Sequence, residues 1–369
     1  MWHGVPRRPA RTFRGILDAH LDAAFTALGT TSFWSFGQAA RFVDLLGPWS
    51  RVPVEDLGPF GSFAANDEWP VELSFAFARA GARLRVLVEE IAAGGDPLAG
   101  RLAGQEMIRR LGRQPGVDIE RYVSIEDLFF PTETSAPRGD FSLMHAVDIS
   151  LDGSAALHKV YLNPAAAGRE SAAATVATAM RRLGLAAAWA RVTRTLAALA
   201  LPPAAYEAQI VALDLDSATE ARVKVYLRHH HTDAADIDRI ASVSADHRPG
   251  VFEGILRDTF GRPVSRLAKP PLTALSFVSG HDRPTSATLY CPLYPNLPHD
   301  AAAGARLGRL LDQCGIATDD LAKVLRTVGG PAPEEHRRIS WFGYKRPDNP
   351  VVTVYAGLRD PEPQGSPEL

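Results

Sequence analysis

The chain has 369 residues, of which 46% are hydrophobic and 22% are charged, and its formal net charge at pH 7 is −2. These proportions are typical of a globular protein, and the balanced charge argues against a nucleic-acid partner. Cys291 and Cys314 are the only cysteines, too few for a disulfide framework or a four-cysteine zinc site. No apolar run of about 20 residues is free of charges, which argues against a membrane partner. The sequence therefore predicts a cytoplasmic protein.

In chain order, we predict a helical N-terminal lead-in over residues 1–30, a main domain over residues 31–358, and a disordered tail over residues 359–369. The tail is rich in proline, glutamate and glycine and has too few apolar residues to pack into a core. Length alone, at roughly 150 residues per domain, would give two or three domains. An internal repeat favours one domain instead.

The repeat consists of strand-like segments in which a tyrosine recurs about every 65 residues, at Tyr161, Tyr226, Tyr290 and Tyr355. Each segment follows another apolar segment across a turn rich in aspartate, glycine, asparagine or proline, which is the pattern of a β-hairpin. An earlier pair of segments makes a fifth hairpin. The predicted hairpins pair Val71–Phe77 with Arg83–Glu89, Leu143–Leu151 with His158–Leu162, Gln209–Leu215 with Val223–Leu227, Thr273–Ser279 with Ala287–Cys291, and Arg338–Tyr344 with Val352–Ala356.

Between the hairpins the apolar residues change to helical spacing. The predicted helices are Pro97–Leu111, Ala172–Leu183, Ala186–Ala198, Ile237–Val243, Phe252–Phe260, Ala301–Cys314 and Asp319–Val328. Five units of two helices and two strands predict an α+β fold in which a single ten-stranded antiparallel β-barrel is surrounded by α-helices. Such a barrel is wider than the eight strands that side chains can fill, so we expect a ligand-sized lumen. Two separate α+β domains are the alternative, and the even repeat favours the barrel.

Alternate residues of a strand share a face, and one face of these strands is cationic and phenolic. That face collects Arg83, Arg85, Lys159, Tyr161, Arg222, Lys224, Tyr226, Thr288, Tyr290, Thr353 and Tyr355. The opposite face is apolar and should pack on the helices, which places the cationic and phenolic side chains inside the barrel. The alternative is that they lie on a solvated outer face, but tyrosines at matched positions on four strands are unusual there.

Buried cations need an anion or water, and a diphosphate suits arginine and lysine donors well. The tyrosine rings have electron-rich faces that favour a nearby cation. A diphosphate beside a tyrosine-lined cavity is what the ionisation of an allylic diphosphate requires.

At these residues the chain resembles the dimethylallyltryptophan synthase family of indole prenyltransferases, in its bacterial type, from about Phe33 to Gly357. The segment 70–74, Pro-Val-Glu-Leu-Ser, matches the family's early strand motif. The resemblance implies that Glu72 accepts the indole N–H and stabilises the cationic ring intermediate. It also implies that the diphosphate binds to Arg85 (with Arg83 a second candidate), Lys159, Arg222, Lys224 and Thr288, and that Tyr161, Tyr226, Tyr290 and Tyr355 bind diphosphate and shield the allyl cation.

Two positions depart from the family pattern. The strand before Lys159 lacks the lysine base that is common in the family, and His145 is then the nearby side chain with a suitable pKa, with Asp148 as another possibility. Thr288 stands where glutamine is common. Asp319-Asp320 lacks the third aspartate of a magnesium-binding cluster, so we expect no metal and no cofactor.

The sequence thus predicts metal-independent transfer of a dimethylallyl group from dimethylallyl diphosphate to tryptophan or a related indole, in a monomer or homodimer. A phenol or naphthalene acceptor in the same barrel and a non-catalytic barrel that binds an anionic lipid are the alternatives. The sequence does not determine the ring position, the prenyl chain length or the proton-abstracting base.

Overall fold

A computed structural model of the chain describes residues 11–30, 32–57, 59–92, 96–130, 141–201, 205–217, 220–329 and 332–359. Ten antiparallel strands form a closed barrel in the order β1-β10-β9-β8-β7-β6-β5-β4-β3-β2. The strands are β1 Val71–Ala78, β2 Gly81–Glu89, β3 Leu143–Ser150, β4 Ala156–Leu162, β5 Tyr206–Asp214, β6 Val223–His229, β7 Leu272–Phe277, β8 Ser286–Pro292, β9 Ile339–Lys345 and β10 Val351–Ala356. The predicted α+β barrel is confirmed.

All five hairpin turns lie at one end of the barrel, which we call the lower end. Glycine makes two of these turns possible. Gly153 has a φ of 79° and Gly280 a φ of 82°, values that glycine adopts without a steric penalty. The connections that carry the helices lie at the other, upper end. Pairing of β1 with β10 closes the sheet, so the barrel has no exposed edge strand.

The helices surround the barrel, and each of the seven predicted segments matches one of them to within three residues. Four further helices are not among the predicted segments: Phe33–Asp44, Val54–Leu57, Glu120–Val123 and Glu126–Phe129. In chain order the helices are α1 Phe13–Ala27, α2 Phe33–Asp44, α3 Val54–Leu57, α4 Pro97–Leu111, α5 Glu120–Val123, α6 Glu126–Phe129, α7 Ala172–Arg182, α8 Ala186–Ala198, α9 Ala234–Ala241, α10 Val251–Phe260, α11 Asp300–Cys314 and α12 Asp319–Gly329. Side chains cap several of them: the Thr12 hydroxyl accepts from the Gly15 N–H, and the Asp96 carboxylate accepts from the Leu98 N–H. No helix in the described part of the chain is long and apolar enough to cross a membrane.

The barrel wall separates two apolar clusters. The outer cluster joins one face of every strand to the helices and includes Phe75, Val86 and Val160, all fully buried. The inner cluster lies in the lumen and contains the four repeated tyrosines together with small or flexible residues such as Ala146 and Met144. The apolar face therefore packs on the helices, and the cationic and phenolic face lines the lumen. The predicted tail from residue 360 onward lies outside the described residues.

Candidate active site

The lumen has three levels along the barrel axis. A ring of tyrosines at mid-height, which we call the tyrosine belt, separates an upper chamber from a lower chamber near the hairpin turns. The upper chamber has a volume of about 270 Å³ and the lower about 620 Å³. The two chambers differ in chemistry, because the upper is lined largely by apolar side chains with one buried glutamate, and the lower by cations and aspartates.

The tyrosine belt consists of Tyr161, Tyr226, Tyr290 and Tyr355, one from each even-numbered strand except β2. Neighbouring ring centroids are 6.3, 5.4 and 5.8 Å apart in that order. On β2 the belt is completed by Arg85, whose Nη1 donates to the Tyr355 hydroxyl at 3.3 Å. The 65-residue spacing of the tyrosines thus reflects one repeat unit for each pair of strands.

In the lower chamber two aspartates each bind two cations. The Asp148 carboxylate accepts from Arg83 Nε at 2.6 Å and from Arg85 Nη2 at 3.0 Å. The Asp214 carboxylate accepts from Lys159 Nζ at 2.8 Å and from Arg222 Nε at 2.7 Å. Despite burial, these cations hold the pKa of both aspartates well below its ordinary value. Arginine and lysine can be buried here because the barrel itself supplies counter-ions.

Two further lysines enter the lower chamber without a carboxylate partner among the described residues: Lys224 and Lys345. Burial lowers the pKa of both, and nearby Arg222 lowers it further, so that the pKa of Lys345 falls to about 7. Thr288 lies two residues before Tyr290 on β8, on the same face and nearer the lower end. Its buried hydroxyl has no hydrogen-bond partner in the described structure. The chamber therefore presents unsatisfied donors and positive charge to an anion.

Glu72 lies in the upper chamber, near the start of β1, and is 7% exposed. Its Oε1 accepts a hydrogen bond from the Ser340 hydroxyl at 2.7 Å. Burial raises the pKa of Glu72 to about 8, although Ser340, Lys269 and Arg85 act in the opposite direction. Once ionised, a buried carboxyl group with one oxygen occupied can accept one donor of a ligand and stabilise positive charge on it, and a positive charge on the ligand favours that ionisation.

Other polar groups surround Glu72 at the top of the upper chamber. A bulge in β5 turns Gln209 into the lumen beside Ile210, and neither amide atom of Gln209 has a hydrogen-bond partner in the described structure. Lys269 precedes β7 and places its Nζ 4.6 Å from the ring centroid of Trp341. Arg228, on β6, lines the same chamber.

The structure corrects the proposed position of His145. On β3 the lumen residues are Met144, Ala146 and Asp148, so His145, between them, points outward towards the helices and is fully buried. Burial lowers its pKa to about 3. His145 therefore cannot reach a substrate in the lumen, and the prediction that it lies in the site is wrong. Asp148 faces the lumen, but it lies in the lower chamber and is occupied by two arginines.

The structure brings all the other predicted site residues to the lumen and adds several that sequence reasoning missed. Asp214 and Lys345 follow the same alternation as the predicted residues, and a strand prediction extended by one residue would have included Lys345. Gln209 depends on a bulge that breaks the alternation, and Lys269 lies outside any strand. For those two residues no periodic signal exists.

Comparison with known proteins gives one family and several solved structures. A sequence model of the family described as tryptophan dimethylallyltransferase matches residues 39–246. The crystal structure of 5-dimethylallyltryptophan synthase from Streptomyces coelicolor is 30% identical and has a TM-score of 0.83, with 95% of this chain and 98% of that chain covered. The structure of 6-dimethylallyltryptophan synthase from Micromonospora olivasterospora in complex with DMASPP and Trp is 27% identical and has a TM-score of 0.85, with 96% and 100% covered.

A third similar structure is the prenyltransferase PriB in a ternary complex with L-tryptophan and dimethylallyl thiolodiphosphate. It is 27% identical, with a TM-score of 0.83, and the match covers 96% of this chain and 99% of that chain. All three similarities extend over the whole barrel. The two named synthases carry different ring positions in their names, so similarity alone does not assign a ring carbon to this chain.

Proposed function

This chain belongs to the tryptophan dimethylallyltransferase family and is an aromatic prenyltransferase, and we propose that it transfers a dimethylallyl group from dimethylallyl diphosphate to the indole ring of tryptophan or a related indole. The observation that carries this proposal is the division of the lumen by the tyrosine belt. A cationic chamber lies on one side of the belt, and a chamber with a buried carboxyl group lies on the other. The two substrates of the reaction need these two environments.

The diphosphate would bind in the lower chamber. Lys224, Lys345 and the Thr288 hydroxyl offer donors that have no partner among the described residues, and Arg83, Arg85, Lys159 and Arg222 add charge from the ion pairs. As the carbon–oxygen bond of the allylic diphosphate breaks, negative charge grows on the leaving oxygen. Fixed cations stabilise that charge more strongly in the transition state than in the ground state, which lowers the barrier.

The dimethylallyl group would extend from the lower chamber into the tyrosine belt. Four ring faces within 6.3 Å of their neighbours stabilise an allyl cation without supplying a strong nucleophile. Burial raises the pKa of all four phenols, which keeps them neutral. The belt also excludes water, which would otherwise quench the cation.

The indole would bind in the upper chamber with its N–H donating to the free oxygen of Glu72. A volume of about 270 Å³ suits one bicyclic ring with a short side chain, since ordinary small-molecule sites begin near about 300 Å³. The amide of Gln209 is available to the amino-acid part of tryptophan. As the indole ring attacks the cation, positive charge moves onto the indole, and the Glu72 carboxylate stabilises it.

We also propose that the reaction needs no metal ion. Among the described residues no three histidine, cysteine, aspartate or glutamate side chains are placed to hold one. The lysines and arginines of the lower chamber supply the charge that a metal would otherwise bring to the diphosphate.

Incubation of the purified protein with dimethylallyl diphosphate and L-tryptophan, followed by mass spectrometry, tests the proposal. We expect one product that is heavier than tryptophan by one dimethylallyl group. We expect Glu72→Gln to lose about 10²–10³-fold in kcat, because the amide cannot neutralise the cationic ring.

A panel of phenols and naphthols serves as the control acceptor set. Product from phenols but not from indoles, with Glu72→Gln still active, would replace the indole assignment. Absence of product from every acceptor would show that the barrel only binds its ligands.

A further inference from the structure

The proposed reaction needs a group that removes a proton from the ring, and the residues predicted for this role do not reach the acceptor. His145 points into the helix layer, and Asp148 is bound to Arg83 and Arg85 below the belt. Glu72 is engaged with the N–H edge in the proposed binding mode. The titratable side chains that remain among the described lining of the upper chamber are Glu68, Arg228, Lys269 and the belt residues.

The direction of attack limits where the proton acceptor can lie. The allyl cation reaches the indole from the tyrosine belt, and bond formation makes the attacked carbon tetrahedral. The hydrogen on that carbon then points away from the new bond, towards the opposite face of the ring. A base on the diphosphate side of the acceptor would therefore be on the wrong face, and the base must lie at the upper end.

Lys269 occupies that end of the lumen. It lies three residues before Leu272, whose partner on β8 is the belt residue Tyr290, so Lys269 is beyond the belt on the side away from the lower chamber. The Nζ of Lys269 donates to Asn66 Oδ1 and lies 4.6 Å from the ring centroid of Trp341. The Asn66 oxygen and the Trp341 ring both favour an ammonium group, so they stabilise Lys269 once it has gained a proton.

The surroundings of Lys269 also allow its amino group to be neutral before it accepts a proton. It faces Glu72 on β1 and Arg228 on β6, and burial is the largest influence on it. Burial and Arg228 lower the pKa of Lys269 to about 8, while Glu72 acts in the opposite direction. A lysine with such a pKa has a substantial neutral fraction at mildly alkaline pH, which an exposed lysine lacks.

We infer that Lys269 is the proton acceptor that restores the aromatic ring after prenyl transfer. The step rests on the proposed function. The C–H electron pair of the tetrahedral carbon returns to the ring, the proton moves to the neutral Nζ of Lys269, and diphosphate is the departing anion. The ammonium group then loses its proton to solvent before the next turnover.

The test measures the deuterium isotope effect on kcat with tryptophan that is fully deuterated on the indole ring. In the wild-type protein we expect a value near unity, because ionisation of the diphosphate limits the rate. Lys269→Arg keeps a cation but cannot accept a proton, and we expect it to lose about 10²–10⁴-fold in kcat with an isotope effect well above unity. A merely structural role for Lys269 would not move the isotope effect.

Controls separate the other roles that Lys269 could have. Glu68→Gln alters an exposed carboxylate in the described lining of the upper chamber, and an isotope effect in that variant rather than in Lys269→Arg would overturn the inference. Full activity of Lys269→Arg, together with a raised KM of Lys269→Gln for tryptophan but not for 3-methylindole, would also overturn the inference. That result would mean that Lys269 binds the carboxylate group of tryptophan.

Binding of dimethylallyl thiolodiphosphate, measured by calorimetry, checks that Lys269→Arg folds and retains its lower chamber. If it does not, Lys269→Gln is measured in its place. Failure of the wild-type protein to form product would count against the proposed function, whereas product formation without an isotope effect in the variants would count against Lys269 alone.

Discussion

Single residues in the lower chamber differ in how their charge is compensated. Lys159 and Arg222 share Asp214, whereas Lys345 has no ion pair among the described residues, and Arg222, Arg85 and Arg346 affect it more strongly than Asp148 does. An uncompensated buried cation has a lowered pKa in the free protein and a higher one when an anion binds. The charge of Lys345 should therefore respond when diphosphate binds.

We expect diphosphate affinity to depend on pH through Lys345. Burial lowers its pKa to about 7, so the free lysine is charged below pH 7 and becomes neutral above it. Binding must then take up a proton, which weakens affinity by up to about tenfold per pH unit until the pKa of the bound state is reached. Lys345→Met should weaken pyrophosphate binding at pH 6.5, and the difference from wild type should shrink by pH 9, as measured by calorimetry.

The matched control for that measurement is Lys323→Met. Lys323 is exposed on α12 and paired with Asp320, far from the lumen, so its substitution should leave the pH dependence unchanged. A constant ratio of affinities between wild type and Lys345→Met across the pH range would show that Lys345 does not titrate on binding.

At the scale of elements, the aspartates join neighbouring strands across the lumen wall. Asp214 at the end of β5 binds Lys159 on β4 and Arg222 just before β6, so one carboxylate links three adjacent segments. Asp148 on β3 likewise binds two arginines of β2. These ion pairs hold the lower chamber together when no diphosphate is bound. The aspartates also compete with diphosphate for the same cations.

Asp214→Asn should therefore have two effects of opposite sign. It leaves Lys159 and Arg222 buried without a counter-ion, which we expect to lower the free energy of unfolding by about 3–5 kcal/mol. Added pyrophosphate should then raise the melting temperature of the variant more than that of the wild type, because the freed cations bind it. Thermal unfolding with and without pyrophosphate measures both effects, and an equal shift in the two proteins would contradict this account.

For the whole molecule, closure of the barrel makes the charge arrangement possible. Ten strands enclose a lumen in which Asp148 and Asp214 pair with four cations while Lys224 and Lys345 have no carboxylate partner among the described residues, although the net charge of the chain is only −2. The overall charge conceals this cationic interior, because an excess of negative charge elsewhere in the chain offsets it. The enclosed cations act at short range in a medium of low polarity, where the attraction between each cation and an anion is stronger than it would be in water.

Because this charge is built into the barrel, we expect activity to survive removal of metal ions. Protein dialysed against EDTA and assayed in excess EDTA should form product at the rate of untreated protein, and added Mg²⁺ should give no increase. Loss of product in EDTA that returns with Mg²⁺ would show that the cations do not suffice. Dimethylallyl diphosphate concentration is held constant, since Mg²⁺ also binds the free substrate.

The sequence by itself determined the parts of this protein that repeat. Alternation along each strand and the recurrence of tyrosine predicted ten strands, their two faces and most of the lumen residues, because side-chain direction in a strand has a period of two. The same rule would have placed His145 outside the lumen had it been applied to β3. It also places Asp148 inside.

Tertiary structure decided which side chains from distant segments meet in the lumen. The aspartate counter-ions, the entry of Gln209 through a bulge and the placement of Lys269 in the same chamber as Glu72 depend on contacts between segments far apart in the chain. No local pattern encodes such contacts. Barrel closure brings them together, and it thereby turns a row of cations and phenols into two chambers with different chemistry.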